Sequence, residues 1–175
     1  MNTHTLSVLV ANAPGVLTRV AGLFSRRGYN IESLTVGPTL DPDVSRMTIV
    51  AAVADPAILE QIVKQLNKLI EVYKIIELDA GAVDRELILL KVYCTESTRS
   101  SVIDIVNLFR AHAVDVGSES ITVETTGSTD KLRAIVELLS PYGIIEMATS
   151  GHVALTRGGR AMAETRRPAL ANHAS

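Results

Sequence analysis

Two short stretches of this sequence combine an open backbone with polar side chains, and they are its best candidates for a binding site. The first, Asn12-Ala13-Pro14-Gly15-Val16-Leu17, follows an apolar strand and opens a helix. Proline suits a first helical turn because its missing N–H is one that this turn does not use. Gly15 leaves the free N–H groups of the turn uncovered. Because a helix start carries partial positive charge, this corner suits a small carboxylate.

The second stretch is Gly28-Tyr29-Asn30-Ile31, one helix later. Gly28 ends the helix, and Asn30 opens the next segment with an amide that both donates and accepts hydrogen bonds. Each residue alone also has a purely structural reading: Gly15 as a tight turn, Asn12 as a helix cap and Asn30 as a turn residue. Taken together, the two stretches predict a binding site for a free amino acid.

The elements that position these stretches follow from hydrophobic periodicity. The alternation of the second strand slips between Ile31 and Leu34, as a bulge or a shared edge would explain. Asp55-Pro56 is an N-cap followed by a first-turn proline, and it opens a helix whose apolar stripe runs to Ile70. The predicted order is strand 4–10, helix 14–27, strand 30–37, strand 47–53, a helix from Pro56, and strand 71–78.

The same order of elements returns after the only plausible linker, residues 79–85. This is a repeat of topology and not of motif, because Cys94-Thr95-Glu96-Ser97 stands where Asn-Ala-Pro-Gly stood in the first half. Ile144 to Met147 is predicted as the last core strand, with His152 to Thr156 as its extension. The predicted domains are 1–78, 86–158 and a flexible tail, 159–175.

A βαββαβ unit places its strands in one antiparallel sheet with both helices on one face. Strand two then lies on an edge that begins at Asn30. That edge can pair with the same edge of a second chain, so that Asn30 of one subunit lies near Gly15 of the other. We therefore expect a homodimer whose site forms when two chains meet.

Composition excludes several classes of function. The net charge of −2 gives no electrostatic footprint for nucleic acid or an acidic membrane surface. No apolar run approaches the roughly 20 residues that span a bilayer. No signal peptide is expected at the N-terminus. The single cysteine, Cys94, permits no internal disulfide, and a cytoplasmic location is expected.

Catalytic and metal chemistry find no support in the sequence. A thiol nucleophile needs a base nearby, and the four scattered histidines show no pairing spacing, so Cys94 is expected to be a small buried residue. The same scatter argues against a metal site. RNA-binding modules of this topology need aromatic residues on the central strands, where this chain has aliphatic ones. We predict no catalytic and no metal-binding residue.

The run from Asn12 to Val36 resembles the ACT domain in the small, regulatory subunit of acetolactate synthase, also called acetohydroxyacid synthase. Arg46-Met47-Thr48-Ile49 matches as well. The resemblance covers residues 1–160 and implies an α+β fold of two tandem βαββαβ ferredoxin-like domains, the first an ACT domain. The first 50 residues carry the specific motifs, whereas the second half matches by position and length.

The resemblance implies a function without catalysis in this chain. It implies that the chain stimulates a separate catalytic subunit carrying thiamine diphosphate, FAD and magnesium. It also implies feedback inhibition by valine, often by isoleucine or leucine too, in branched-chain amino-acid biosynthesis. By position, Asn12, Gly15, Val16 and Leu17 would hold the effector, with Ala13 and Pro14 between them. Asn30 and Ile31 would complete the pocket across the dimer.

One position departs from the family pattern. The family often has an acidic residue before the asparagine, where this chain has Ala11, and this leaves the effector preference open. Two other readings remain: a stand-alone ACT-type amino-acid sensor that controls a different enzyme, and an enzyme in its own right. A pull-down that finds another partner would favour the first, and turnover by the purified chain alone would favour the second.

Overall fold

The computed structural model describes residues 2–53 and 55–162, and the chain divides into two compact units. One comprises Met1–Val83 with the segment from Ala154, and the other comprises Asp84–Val153. The first contains β1 (Asn2–Ala11), α1 (Val16–Ser25), β2 (Ile31–Pro38), β3 (Val44–Val53), α2 (Pro56–Leu66) and β4 (Val72–Leu78). The second contains most of β5 (Val83–Tyr93), then α3 (Arg99–Leu108), β6 (His112–Val116), β7 (Ser120–Gly127), α4 (Thr129–Leu139) and β8 (Ile144–Thr149); β9 (Val153–Leu155) follows.

The first unit is an antiparallel sheet with strand order β2-β3-β1-β4. Strand β2 is therefore an edge, as predicted. The predicted slip in its alternation is confirmed as a shift of register between Ile31 and Ser33 against β3. One face of the sheet packs on both helices, and the core residues with no exposed surface include Leu6, Val8, Val20, Phe24, Ile49 and Ile62.

Helix α1 begins later than predicted and ends earlier, at Ser25 and not at residue 27, while Gly28 lies in the turn that follows. We expected a start at Pro14, but Gly15 has φ 84°, in the left-handed region, and the helix begins at Val16. Past its other end, Gly28 has φ 68°. There the Tyr29 N–H donates to the Phe24 carbonyl and the Gly28 N–H donates to the Ser25 carbonyl, both at 3.1 Å. This pair of bonds is a Schellman motif, and it turns the chain towards Asn30.

Helix α2 has the predicted N-cap. The Asp55 carboxylate accepts from the Ala57 N–H at 2.8 Å, and Pro56 is the first helical residue. The predicted stripe was too long: the helix ends at Leu66, and Ile70, in the turn beyond it, is 86% exposed. Residues past a helix end no longer keep its 3.6-residue period, so Ile70 does not point at the core.

The second unit repeats the arrangement, with strand order β6-β7-β5-β8. Cys94 is fully buried in its core, as predicted. The expectation that the strand from Ile144 lies in the core was wrong: β8 is an edge strand, and Met147 is 52% exposed. Residues 153–155 do not extend β8 either; they form β9, which pairs with β5. The core residues with no exposed surface include Leu90, Val92, Val102, Ile121, Val123, Ile135 and Leu139.

Both halves thus have the predicted βαββαβ order, and the α+β fold class is confirmed. Strand β5 begins at Val83, inside the segment predicted as linker, and the exact domain limits stay predictions. Of the predicted tail, Met162 is buried against Leu9 and Val44, whereas residues 163–175 lie outside the described residues. In the part that the structure describes, no helix is long and apolar enough to cross a membrane.

Candidate functional site

Gly15 shapes the corner between β1 and α1. Its φ of 84° favours glycine, and a Cβ built there would meet nothing within 4 Å. The Val16 N–H donates to the Ala13 carbonyl at 3.4 Å, and the first bond of the helix joins the Arg19 N–H to the Gly15 carbonyl at 3.0 Å. Within residues 2–53 and 55–162, no acceptor takes the N–H groups of Leu17 and Thr18. The corner is exposed, and these N–H groups are open to a ligand.

Asn12 fixes the loop in front of the helix. Its N–H donates to the Asp43 carbonyl and its Nδ2 donates to the Pro42 carbonyl, both at 2.8 Å. The loop that provides these carbonyls is itself held, because the Asp43 N–H donates to the Asp41 carboxylate at 3.0 Å. The Asn12 side chain is therefore positioned through its nitrogen, and its carbonyl oxygen is left as the group for further contacts.

The cation next to the corner is already engaged. Arg19, one turn into α1, forms an ion pair with Glu71, whose carboxylate is 22% exposed. The Glu71 carbonyl also accepts from the Ala11 N–H at 2.8 Å, which holds the start of β4 against the corner. A carboxylate arriving here would therefore meet backbone N–H groups and the helix dipole, and not a free guanidinium.

The predicted site residues differ in what they expose. Asn12, Ala13, Pro14, Gly15 and Asn30 are exposed. Val16 is buried in the core at 3% exposure, so it supports the corner from behind, whereas Leu17 leaves 45% of its surface open. Ile31 is half-buried and packs against the same core.

The structure does not bring the two halves of the predicted site together within one chain. Ile31 pairs with Ala51 of β3, and Ala51 pairs with His4, near the start of β1. The corner follows Ala11, seven positions beyond His4 on the same strand. At about 3.3 Å per residue, Asn30 and Gly15 lie at opposite ends of the sheet, roughly 23 Å apart along the strands.

Some contacts of the site could not be read from the sequence. Asp41-Pro42-Asp43 has the composition of a turn, but its role in holding Asn12 depends on the β1–β3 register, which places Ala11 opposite Val44. The Arg19–Glu71 pair joins residues 52 positions apart and has no local pattern.

Comparison with known proteins gives matches over both units. Residues 6–74 match the AHAS small subunit-like ACT domain, and residues 85–158 match the small subunit of acetolactate synthase. The chain is 58% identical over 159 residues to an acetolactate synthase small subunit of Mycolicibacterium smegmatis, covering 90% of this chain and 93% of that protein. The chain belongs to the acetolactate synthase small subunit family.

Other members of the acetolactate synthase small subunit family are similar to this chain over most of their length. A probable small subunit of Archaeoglobus fulgidus is 51% identical, with 90% of this chain and 98% of that protein covered. A crystal structure of the small subunit from Thermotoga maritima superposes with a TM-score of 0.85 at 38% identity, covering 91% of this chain and all of that chain. The resemblance drawn from residues 12–36 is confirmed, and so is the assignment of the first unit as an ACT domain.

Family membership confirms that this chain is a regulatory subunit of a transferase holoenzyme and not its catalytic subunit. In the described part of the chain, no group of three or more His, Cys, Asp or Glu side chains could hold a metal ion. The predicted absence of a cofactor in this chain stays a prediction.

Proposed function

We propose that this chain stimulates the catalytic subunit of acetolactate synthase and makes it sensitive to valine, with leucine or isoleucine as further effectors. In this proposal the catalytic subunit carries the thiamine diphosphate, FAD and magnesium, and the ACT domain carries only the effector. The observation that supports it most is the corner at Gly15, where an exposed helix start has free N–H groups and a fixed asparagine beside it.

The corner offers a distinct group for each part of an amino acid. The effector carboxylate would accept from the Leu17 and Thr18 N–H groups, which have no acceptor in the described chain. The Asn12 carbonyl oxygen would accept from the effector ammonium group. The exposed part of the Leu17 side chain would lie against the aliphatic side chain. A branched, uncharged amino acid fits this set, because the neighbouring Arg19 is paired with Glu71.

A symmetric dimer would complete the pocket. If the β2 edges of two chains pair antiparallel, the Asn30 end of one β2 lies beside the Pro38 end of the other. Pro38 pairs with Ser45, and Ser45 pairs with Val10, so the Pro38 end is level with the corner. Two-fold pairing would therefore carry the partner's Asn30 towards Gly15 and form two identical sites. The separation of the two stretches within one chain is thus what such a dimer requires.

Regulation would follow from differential binding. An effector that bridges two ACT domains favours one dimer arrangement, and that arrangement supports the active catalytic subunit less well. A coupling of about 1–3 kcal/mol changes the affinity for the active state by several-fold to about a hundredfold.

The test is a reconstitution of the holoenzyme with Gly15→Asp. The carboxylate of this variant would repel the effector carboxylate at the helix start, so we expect activation to be kept and valine inhibition to be lost. Gly15→Asn is the matched control, because asparagine tolerates the left-handed conformation and adds no charge. We expect it to retain more of the inhibition.

Calorimetry with valine, leucine and isoleucine on the purified chain gives the effector preference directly. Inhibition that persists in Gly15→Asp would place the effector elsewhere. A pull-down that returns a different enzyme in place of the catalytic subunit would favour the alternative, an ACT sensor with another target.

A further inference from the structure

A second cleft of the first unit lies at the far end of α1 from the effector corner. It is an open cavity of about 590 Å³, formed where the C-terminal ends of α1 and α2 lie side by side. It is lined by Leu23, Arg26, Arg27, Gln65, Lys68 and Leu69. Helix α1, which is 10 residues and about 15 Å long, runs from the Gly15 corner to this cleft.

The charge of this cleft has one sign. Arg26, Arg27 and Lys68 supply three cations, and no acidic residue is among its lining residues. Over residues 2–53 and 55–162, none of these three side chains has a carboxylate within ion-pair distance. The cationic side chains within α1 and α2, Arg19 and Lys64, are both paired with glutamates.

Backbone N–H groups already pair with the carbonyl groups that cations at a helix end usually neutralise. Cations near a helix end often neutralise its last carbonyl groups. Here the Phe24 and Ser25 carbonyls accept from backbone N–H groups in the Schellman motif, and the Val63 and Gln65 carbonyls of α2 accept from the N–H groups of the turn that follows. No side-chain bond from the three cations to these carbonyls occurs in the described chain. The charges remain available to a ligand.

We propose that this cleft binds a small phosphorylated metabolite. Two guanidinium groups match phosphate oxygens with paired N–H donors, and a lysine ammonium adds a third charge. Gln65 offers an amide for a hydroxyl or ring nitrogen, and Leu23 and Leu69 provide an apolar floor for the organic part. The volume lies in the range of small-molecule sites, about 300–1,000 Å³.

The proposal is independent of the effector proposed for Gly15, and the test measures binding without activity. Purified full-length chain is titrated by calorimetry with inorganic pyrophosphate, with a nucleoside diphosphate and with the tricarboxylate citrate. We expect the nucleoside diphosphate to bind more tightly than pyrophosphate, because only it reaches the apolar floor. Citrate is expected to bind most weakly, because it has no part that reaches the apolar floor and each of its carboxylates offers two oxygens where a terminal phosphate offers three.

Single variants localise the binding. Arg26→Gln, Arg27→Gln and Lys68→Gln are each expected to weaken the nucleoside diphosphate at least tenfold. Arg133→Gln, an exposed cation on α4 that changes the net charge equally, is the control and is expected to leave the affinity within twofold. Arg27→Lys keeps the charge and loses the guanidinium fork, so its affinity for the nucleoside diphosphate is expected to lie between those of Arg27→Gln and Arg133→Gln.

Three results would overturn the proposal. The first is an equal loss in Arg133→Gln, which would show binding by net charge alone. The second is binding that survives Arg27→Gln and Lys68→Gln unchanged. The third is an absence of binding by any of the anions while Arg27→Gln weakens the affinity for the catalytic subunit, which would make the cleft a docking surface for an acidic protein face.

Discussion

The two βαββαβ units place a strand-to-helix connection at equivalent points, and the two connections are built differently. Neither α1 nor α3 has a side-chain hydrogen bond that caps its start. Before α1 stand alanine, proline and glycine, which have no polar side-chain atom, and no side chain caps the helix. Before α3, hydroxyl groups fill the turn: the Thr95 N–H donates to Thr98 Oγ1 at 2.9 Å, and Thr95 Oγ1 lies 2.9 Å from Ser97 Oγ.

The comparison shows that a free helix start is not sufficient for a site. Every helix leaves its first N–H groups without intrahelical partners, so the topology alone offers two equivalent corners. In the connection before α3 the Thr95 N–H and hydroxyl group are bonded within the turn, whereas the connection before α1 has no hydroxyl group and holds Asn12 against the Pro42 carbonyl. A glycine in the left-handed region and an anchored asparagine distinguish the proposed effector corner from its structural equivalent.

The largest expected effect comes from removing the anchor. Asn12→Asp replaces the Nδ2 that donates to the Pro42 carbonyl with an oxygen that cannot donate. The new carboxylate and this carbonyl repel each other, so the side chain leaves the position from which it would accept from the effector ammonium group. We expect valine affinity to fall about fiftyfold, or roughly 2.3 kcal/mol, measured by calorimetry. Asp115→Asn, on exposed strand β6, changes one charge in the second unit and should leave the affinity unchanged. Equal affinities in Asn12→Asp and the parent chain would remove Asn12 from the site.

The next largest effect is on stability, and it compares two glycines, one just before α1 and one inside it. Gly15→Ala forces an L side chain into φ 84° and is expected to lower the free energy of unfolding by about 1–2 kcal/mol. Gly22→Ala lies inside α1, where a Cβ meets nothing within 4 Å, and is expected to raise it by about 0.5–1 kcal/mol.

Urea unfolding of both variants measures the sign of each change in the free energy of unfolding. Stabilisation by Gly15→Ala would mean that the corner does not hold the left-handed conformation in solution.

Several features of the first unit could be predicted from the sequence because the residues that determine them are close together in the chain. Asp55-Pro56 marked the start of α2 correctly, and Gly28 marked the turn that follows α1, since capping depends on near neighbours. The bulge after Ile31 was visible as a break in alternation. By contrast, Pro14 was a wrong helix start, because proline and glycine both fit a first turn and only the φ of Gly15 decides between them.

The remaining features depend on distant pairing. The Asn12–Pro42 bond needs the β1–β3 register, and the basic cleft needs Lys68 of one helix end beside Arg26 and Arg27 of another. The sequence places Arg26 and Arg27 in the last turn of the predicted helix 14–27, but it cannot place the cation that follows α2 beside them. In the second unit, the edge position of β8 made Met147 exposed despite its apolar pattern.

A smaller effect tests the connection before α3. Thr98→Val removes the oxygen that accepts from the Thr95 N–H and leaves a half-buried donor without its partner, so we expect a loss of about 1 kcal/mol in the free energy of unfolding. Ser97→Ala removes only an exposed hydroxyl contact and should cost less. Valine affinity should be unchanged in both, and a loss of affinity in Thr98→Val would mean that the effector senses the second unit.

The smallest effect concerns a surface pair of the first unit. Lys64 Nζ lies 2.6 Å from Glu60 Oε1 on the exposed face of α2, and its hydrogen bond and positive charge lower the pKa of Glu60. Because the folded pKa is below the unfolded one, the pair stabilises the unit above the unfolded pKa, and this contribution is lost as the pH falls through the folded pKa. Lys64→Gln should return the pKa of Glu60 towards its usual value in an NMR titration. Lys74→Gln, on β4, should leave it lowered, since exposed pairs act only at short range.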